Sequence, residues 1–261
     1  MKIHRAIVPL AASLIFLFSA TAGQGPLEWE ENAQFGIEIG GSIDITAQVF
    51  QPNNYQPYLI LTSERLKAPL LIDLGKKRVL RLKSSDIKLD GSFIATRGIP
   101  GGKSVSKYAL KGGASTFRVD GKSVVMTVRQ TLVGETDRAI ILAHSPDYVV
   151  RKNAYKPNSK SIRFLSSYGK KTEVVVMFAT WCSTCKHVLP KVLRVFDDAA
   201  NSKFQMRYIG IAMGGGEPQA ELDRYGHDYP AVILIQNGKE LDRIIGEPTV
   251  PIEDRIVNIL R

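Results

Sequence analysis

The feature that most constrains this chain is a short apolar run, EVVVMFAT at 173–180, that opens directly onto two cysteines, Cys182 and Cys185. A half-exposed strand alternates apolar and polar residues, so a continuous run this short fits a strand buried on both faces. Behind it, CSTCKHVLPKVLRVFDDAAN carries Val188, Val192 and Val195 with Leu189, Leu193 and Phe196 beside them, the spacing of a helix with one apolar face. The cysteines therefore stand where a buried strand turns into a helix. They are the only two in 261 residues.

That position has chemical consequences. Unpaired backbone N–H groups and the positive end of the helix dipole meet at Cys182 and favour a thiolate over a thiol. A cysteine in such a Cys-x-x-Cys site titrates at about 3.5 to 7.5 instead of about 8.5. Cys182 is therefore expected to attack a disulfide of another protein. Cys185, one helical turn deeper, is expected to resolve the mixed disulfide. Ser183 and Thr184 between them carry hydroxyls that can tune the Cys182 thiolate. Such exchange uses the Cys182–Cys185 disulfide itself and calls for no metal or organic cofactor.

Other readings of the pair stay open. A structural disulfide closing so short a loop restrains little unfolded-chain entropy. Zinc wants four ligands, and the sequence has no second Cys-x-x-Cys; His187 falls on the other side of the helix from Cys185. A Cu(I) carrier is the third, since thiolates suit that ion and Met177 and Met213 lie in neighbouring segments. A fourth is a scaffold in which another part of the chain works and the cysteines are vestigial.

The rest of the chain falls into regions. Residues 23–150 read as a mostly-β domain, a sandwich or barrel-like fold. Its strand-like segments are IDITAQVF, PYLILT, PLLIDLG and RVLRL, with a hairpin in STFRVDGKSVVMTVRQTLV turned at Asp120-Gly121. In that hairpin Val124, Met126, Val128 and Leu132 are expected on one face. RKNAYKPNSKS, polar, basic and broken by Pro157, places a linker at 151–160. Residues 161–261 then alternate. A helix over IRFLSSYGKK, the apolar strand, the cysteine helix and a strand over FQMRYIGIAM come first. A helix from Pro218 to Gly226, a hairpin turned at Asn237-Gly238 and a closing helix over PIEDRIVNILR follow. This is the pattern of an α/β domain with a mixed sheet covered on both faces.

With these segments in place, 161–261 resembles the thioredoxin superfamily. FATWCSTCK resembles the family's active-site strand and helix start. Pro190 matches the proline that kinks this helix, and DYPAVILIQNGKELDRIIGEP resembles the later segment with the family's cis-proline, hairpin and closing glycine. The resemblance implies a thiol–disulfide oxidoreductase whose partners are protein thiols and disulfides and a further redox protein. It implies roles for Trp181 flanking the site, for Pro230 facing it in a cis peptide, and for Tyr229 before it in binding substrate, with Gly246 as the closing glycine. Several positions depart from thioredoxin. Its buried acid is replaced by Val176, Ser183 and Thr184 stand between the cysteines in place of Gly-Pro, and Tyr229 is bulkier than the usual residue before the proline. Whether the protein reduces, oxidises or isomerises is not set by these residues.

The N-terminus reads as an export signal. Lys2 and Arg5 precede an apolar stretch to Ala20, and Ala20-Thr21-Ala22 offers a cleavage site, so residues 1–22 are expected to leave and the protein to act in a periplasm or outside the cell. Uncleaved, the same segment would be its one membrane contact. The net charge of +10 falls to +8 once Lys2 and Arg5 are removed, leaving 33 basic and 25 acidic residues. The basic residues are scattered, which speaks against a nucleic-acid surface.

Overall fold

The computed structural model describes residues 26–261, so the expected signal peptide lies outside the described residues. The N-terminal part is built from thirteen antiparallel strands. They are β1 (Leu27–Glu31), β2 (Phe35–Ile39), β3 (Ser42–Ile43), β4 (Gln48–Pro52), β5 (Tyr58–Thr62), β6 (Leu70–Asp73) and β7 (Arg78–Arg81), then β8 (Lys88–Asp90), β9 (Phe93–Thr96), β10 (Lys103–Lys107), β11 (Ala109–Lys111), β12 (Ala114–Val119) and β13 (Lys122–Val128). An eight-stranded sheet runs β10-β7-β6-β5-β4-β1-β9-β8, and a five-stranded sheet runs β11-β12-β13-β2-β3.

Side-chain alternation explains why both sheets hold together. Leu59, Leu61, Leu70, Ile72 and Val79 of the large sheet pack against Ile37, Ile39, Phe117, Val124 and Met126 of the small one. The residues between them, Ile60, Leu71 and Leu80, point to the opposite face and pack with Trp29, Phe50 and Ile94. That double burial is why PYLILT and PLLIDLG read as unbroken apolar runs. The β12–β13 hairpin turns at Asp120 and Gly121, both at positive φ, as a two-residue turn of this kind requires. Val128 and Leu132 depart from the expected stripe: Val128 is 56% exposed at the end of β13, and Leu132, beyond the strand, packs with the core of the third sheet.

The third sheet runs β14-β16-β15-β17-β18, from β14 (Gly134–Thr136), β15 (Thr172–Phe178), β16 (Phe204–Gly210), β17 (Ala231–Gln236) and β18 (Lys239–Ile245). β15 and β16 are parallel; the other pairs are antiparallel. Six helices accompany it: α1 (Arg138–His144), α2 (Pro146–Ala154), α3 (Ser159–Ser167), α4 (Ser183–Ala199), α5 (Gln219–Tyr225) and α6 (Ile252–Leu260). Val174, Val176 and Phe178 of β15 pack beneath α1–α4 and α6, while Val175 and Met177 pack beneath α5. Each such fully buried side chain contributes about 1.5–3 kcal/mol relative to exposure.

Residues 134–160 correct two expected boundaries. β14 is not the tail of the β region: it pairs with β16 at the edge of the third sheet. The expected linker at 151–160 is the end of α2 and the start of α3. Burial of Tyr148 and Leu165 draws these helices onto α4. The stretch between them is tied down, with the Tyr155 hydroxyl donating to Glu253 Oε2 at 2.7 Å and the Asn158 N–H to Glu253 Oε1 at 2.6 Å.

The edge pairing of β14 also makes a stability test. At Gly210, opposite the approach to β14, an added Cβ would lie 2.4 Å from the Leu132 carbonyl oxygen. That oxygen belongs to backbone and has no flexible side chain to give way. Gly210→Ala is therefore expected to lower stability by about 1–3 kcal/mol in denaturant unfolding, the scale of overpacking.

Candidate active site

α4 begins where the sequence places the thiols. Cys182 is its N-cap, with extended backbone (φ −81°, ψ 125°), and its sulfur accepts the Cys185 N–H at 3.1 Å. The Ala179 N–H points at Cys185 Sγ, 3.4 Å away. The two thiols are unbridged; Cys182 is part-exposed and Cys185 is buried. Their environments push their acidities apart. A hydrogen bond from the Cys185 thiol lowers the Cys182 pKa; burial opposes this, while the N–H groups of Cys185 and Thr184 reinforce it. Burial, then the same hydrogen bond and the neighbouring sulfur's charge, raise Cys185 well above the usual thiol range. One sulfur is thus poised as a nucleophile and the other as a protonated reserve.

Trp181 and Tyr229 come together beside this pair, and Pro230 follows Tyr229 in the chain. The Trp181 and Tyr229 rings meet edge to face with centroids 5.3 Å apart. The Trp181 indole N–H donates to the Ile211 carbonyl at 3.3 Å. The Tyr229–Pro230 peptide is cis, and the Pro230 carbonyl accepts the Gly246 N–H at 2.8 Å. Burial, then the nearby sulfurs, raise the Tyr229 pKa. Ser183 and Thr184 sit in the first turn of α4, and the contact to Cys182 comes from the Thr184 backbone. Among the described residues neither hydroxyl bonds the sulfur. Val176 lies in the same apolar cluster as Cys185 and Tyr148, so no carboxylate stands at that point beneath the site.

The charged groups near the site come from elsewhere in the chain. Lys186, the residue after Cys185, is buried, and its Nζ donates to Glu31 Oε1 at 2.9 Å and to the Ala47 carbonyl at 3.1 Å. Glu31, at the end of β1, is equally buried, and its other oxygen accepts from Gln48 Nε2 at 3.0 Å. The following loop bonds the site directly, with the Ala33 N–H donating to the Trp181 carbonyl at 3.3 Å. Arg129 clamps the same loop, donating to the Ala33 carbonyl at 3.1 Å while pairing with Asp147 of α2. Sequence reasoning missed Glu31 and Lys186. The one available signal was a lysine inside an otherwise apolar helix face.

No protein-family model matches the chain. Among curated proteins it is 29% identical over 93 residues to Thioredoxin-2 of Saccharomyces cerevisiae, covering 34% of this chain and 82% of that protein. It is 31% identical over 87 residues to Thioredoxin-1 of Schizosaccharomyces pombe, covering 33% of this chain and 79% of that protein. The chain belongs to the thioredoxin family. The match takes in about a third of this chain's length. A solved structure of thioredoxin O2 from Arabidopsis thaliana in its oxidized state is similar at a TM-score of 0.29 and 16% identity, over 39% of this chain and 86% of that one.

Proposed function

We propose that this thioredoxin-family chain is an exported thiol–disulfide oxidoreductase that exchanges disulfides with proteins through Cys182 and Cys185. The observation that carries the reading is the split between the two sulfurs: Cys182 caps α4 with its pKa lowered, and Cys185 lies buried behind it with its pKa raised.

The steps follow from that split. The Cys182 thiolate attacks one sulfur of a partner disulfide; the partner's other sulfur leaves and takes up a proton. Cys185 then loses its proton and attacks Cys182 Sγ, closing the intramolecular disulfide and releasing the partner as a thiol. A dithiol protein restores the starting state, and with a different partner the steps run in reverse. Trp181, Tyr229 and Pro230 frame the entrance through which the partner's sulfur reaches Cys182, and Ser183 and Thr184 tune the thiolate through the helix start they occupy. The N-terminal sheets, seated on α4 through Glu31, give the entrance a second wall.

Reduction of insulin by the dithiol protein tests this, with Cu(I) titration of the same sample beside it. Turnover of insulin disulfides is the expected result. Tight stoichiometric copper binding with no insulin reduction would favour a carrier instead.

A further inference from the structure

The entrance to Cys182 is a cleft. A cavity of about 520 Å³ has Cys182, Tyr229 and Met213 on its thioredoxin side and Glu30, Tyr55 and Phe93 on the N-terminal side. Three of its large side chains are held out to solvent: Tyr55 at 90% exposure, Met213 at 57% and Phe93 at 53%. Tyr55 also holds a left-handed backbone (φ +55°) in a turn where its N–H donates to the Pro52 carbonyl at 3.1 Å. A ring at such a position is uncommon, and strained residues concentrate where a surface is used.

The charge of the cleft runs against that of the protein. The chain carries a net +10, yet the cleft lining contains two carboxylates and no lysine, arginine or histidine. Glu31 is neutralised by Lys186. Glu30 is exposed and has no salt-bridge partner among the described residues, so it leaves an uncompensated negative charge on the lip above the nucleophile.

We propose that this cleft selects extended protein segments in which a cystine is flanked by a cationic side chain and a large apolar one. The cation pairs with Glu30, and the apolar side chain packs between Tyr55, Phe93 and Met213. The inference rests on the exchange reading above. The selected bond is the partner's sulfur–sulfur bond. Cys182 forms a mixed disulfide with one of its sulfurs, the other leaves as a thiolate, and Cys185 completes the two-electron reduction by closing on Cys182.

Single-turnover reaction of the reduced full chain with three cystine peptides tests it. They are alike except for flanking Lys-Phe, Glu-Phe or Lys-Ala. The Lys-Phe peptide is expected to react about five-fold or more faster than Glu-Phe at low ionic strength, a gap that narrows as salt is raised. Glu30→Lys is expected to reverse that order. Tyr55→Ala combined with Phe93→Ala is expected to erase the advantage of Lys-Phe over Lys-Ala. Equal rates for all three peptides, or a charge preference unchanged in Glu30→Lys, would overturn the cleft assignment while leaving exchange intact. Failure of the reduced chain to reduce the disulfide of any of the three peptides would overturn the exchange reading and the cleft assignment together.

Discussion

Cys182→Ser is expected to cut disulfide exchange by about 10³ or more, the scale on which enzymes lose activity when their nucleophile is removed. The reason lies in the asymmetry of the pair. Cys182 is the part-exposed sulfur, and it alone faces the cleft; Cys185 is buried behind it with its proton held. Without Cys182 no thiolate meets the partner. Cys185→Ser has a different expected outcome. Attack still occurs, and the product accumulates as a covalent mixed disulfide visible by mass spectrometry. Full activity of Cys182→Ser would instead indicate a scaffold whose work is done by the N-terminal sheets.

Glu31→Ala has the largest expected effect on stability. The Lys186 ammonium is buried, and burial, the dominant influence on it, lowers its pKa while the Glu31 charge opposes that drop. Removing the carboxylate leaves a cation inside the protein with only the Ala47 carbonyl as partner. Breaking one side of a buried ion pair costs about 3–5 kcal/mol, whereas replacing both members with apolar residues of similar size is often neutral. Glu31→Ala should therefore unfold at much lower denaturant, and Glu31→Met with Lys186→Met should recover most of the loss. A Glu31→Ala midpoint within about 1 kcal/mol of the parent would show that water reaches the pair and that β1 does not seal α4. The substitution should also be felt at the thiol. The Glu31 charge raises the Cys182 pKa, so its removal is expected to move the alkylation midpoint of Cys182 to lower pH.

Much of the thioredoxin region was legible because its signals are local. The unbroken apolar run of β15, the turn at Asn237 and Gly238, both at positive φ, and the glycine stop at Gly226 each sit within a few residues of the structure they specify. The N-terminal sheets were legible as strands but not as a layout, because the long runs in β5 and β6 reflect burial on two faces and leave the pairing order open. α1 and α2 were missed because they are short and bury few side chains. Ile141 and Tyr148 anchor them, and basic residues with Pro157 give the stretch around them the look of a linker. The site shows the same division. The cysteines, Trp181 and Pro230 lie in recognisable local segments. Glu31 meets Lys186 across 155 residues of sequence, through a strand whose own pattern says nothing of α4.

The pH dependence of alkylation in the reduced protein measures the Cys182 thiolate directly. With a folded pKa held down by the Cys185 thiol and by the N–H groups of Cys185 and Thr184, Cys182 should label with a midpoint below that of a free peptide thiol. Peptide mapping should find Cys185 unlabelled across the same range. Labelling of both cysteines with the midpoint and rate of a free peptide thiol would contradict an activated sulfur at the head of α4.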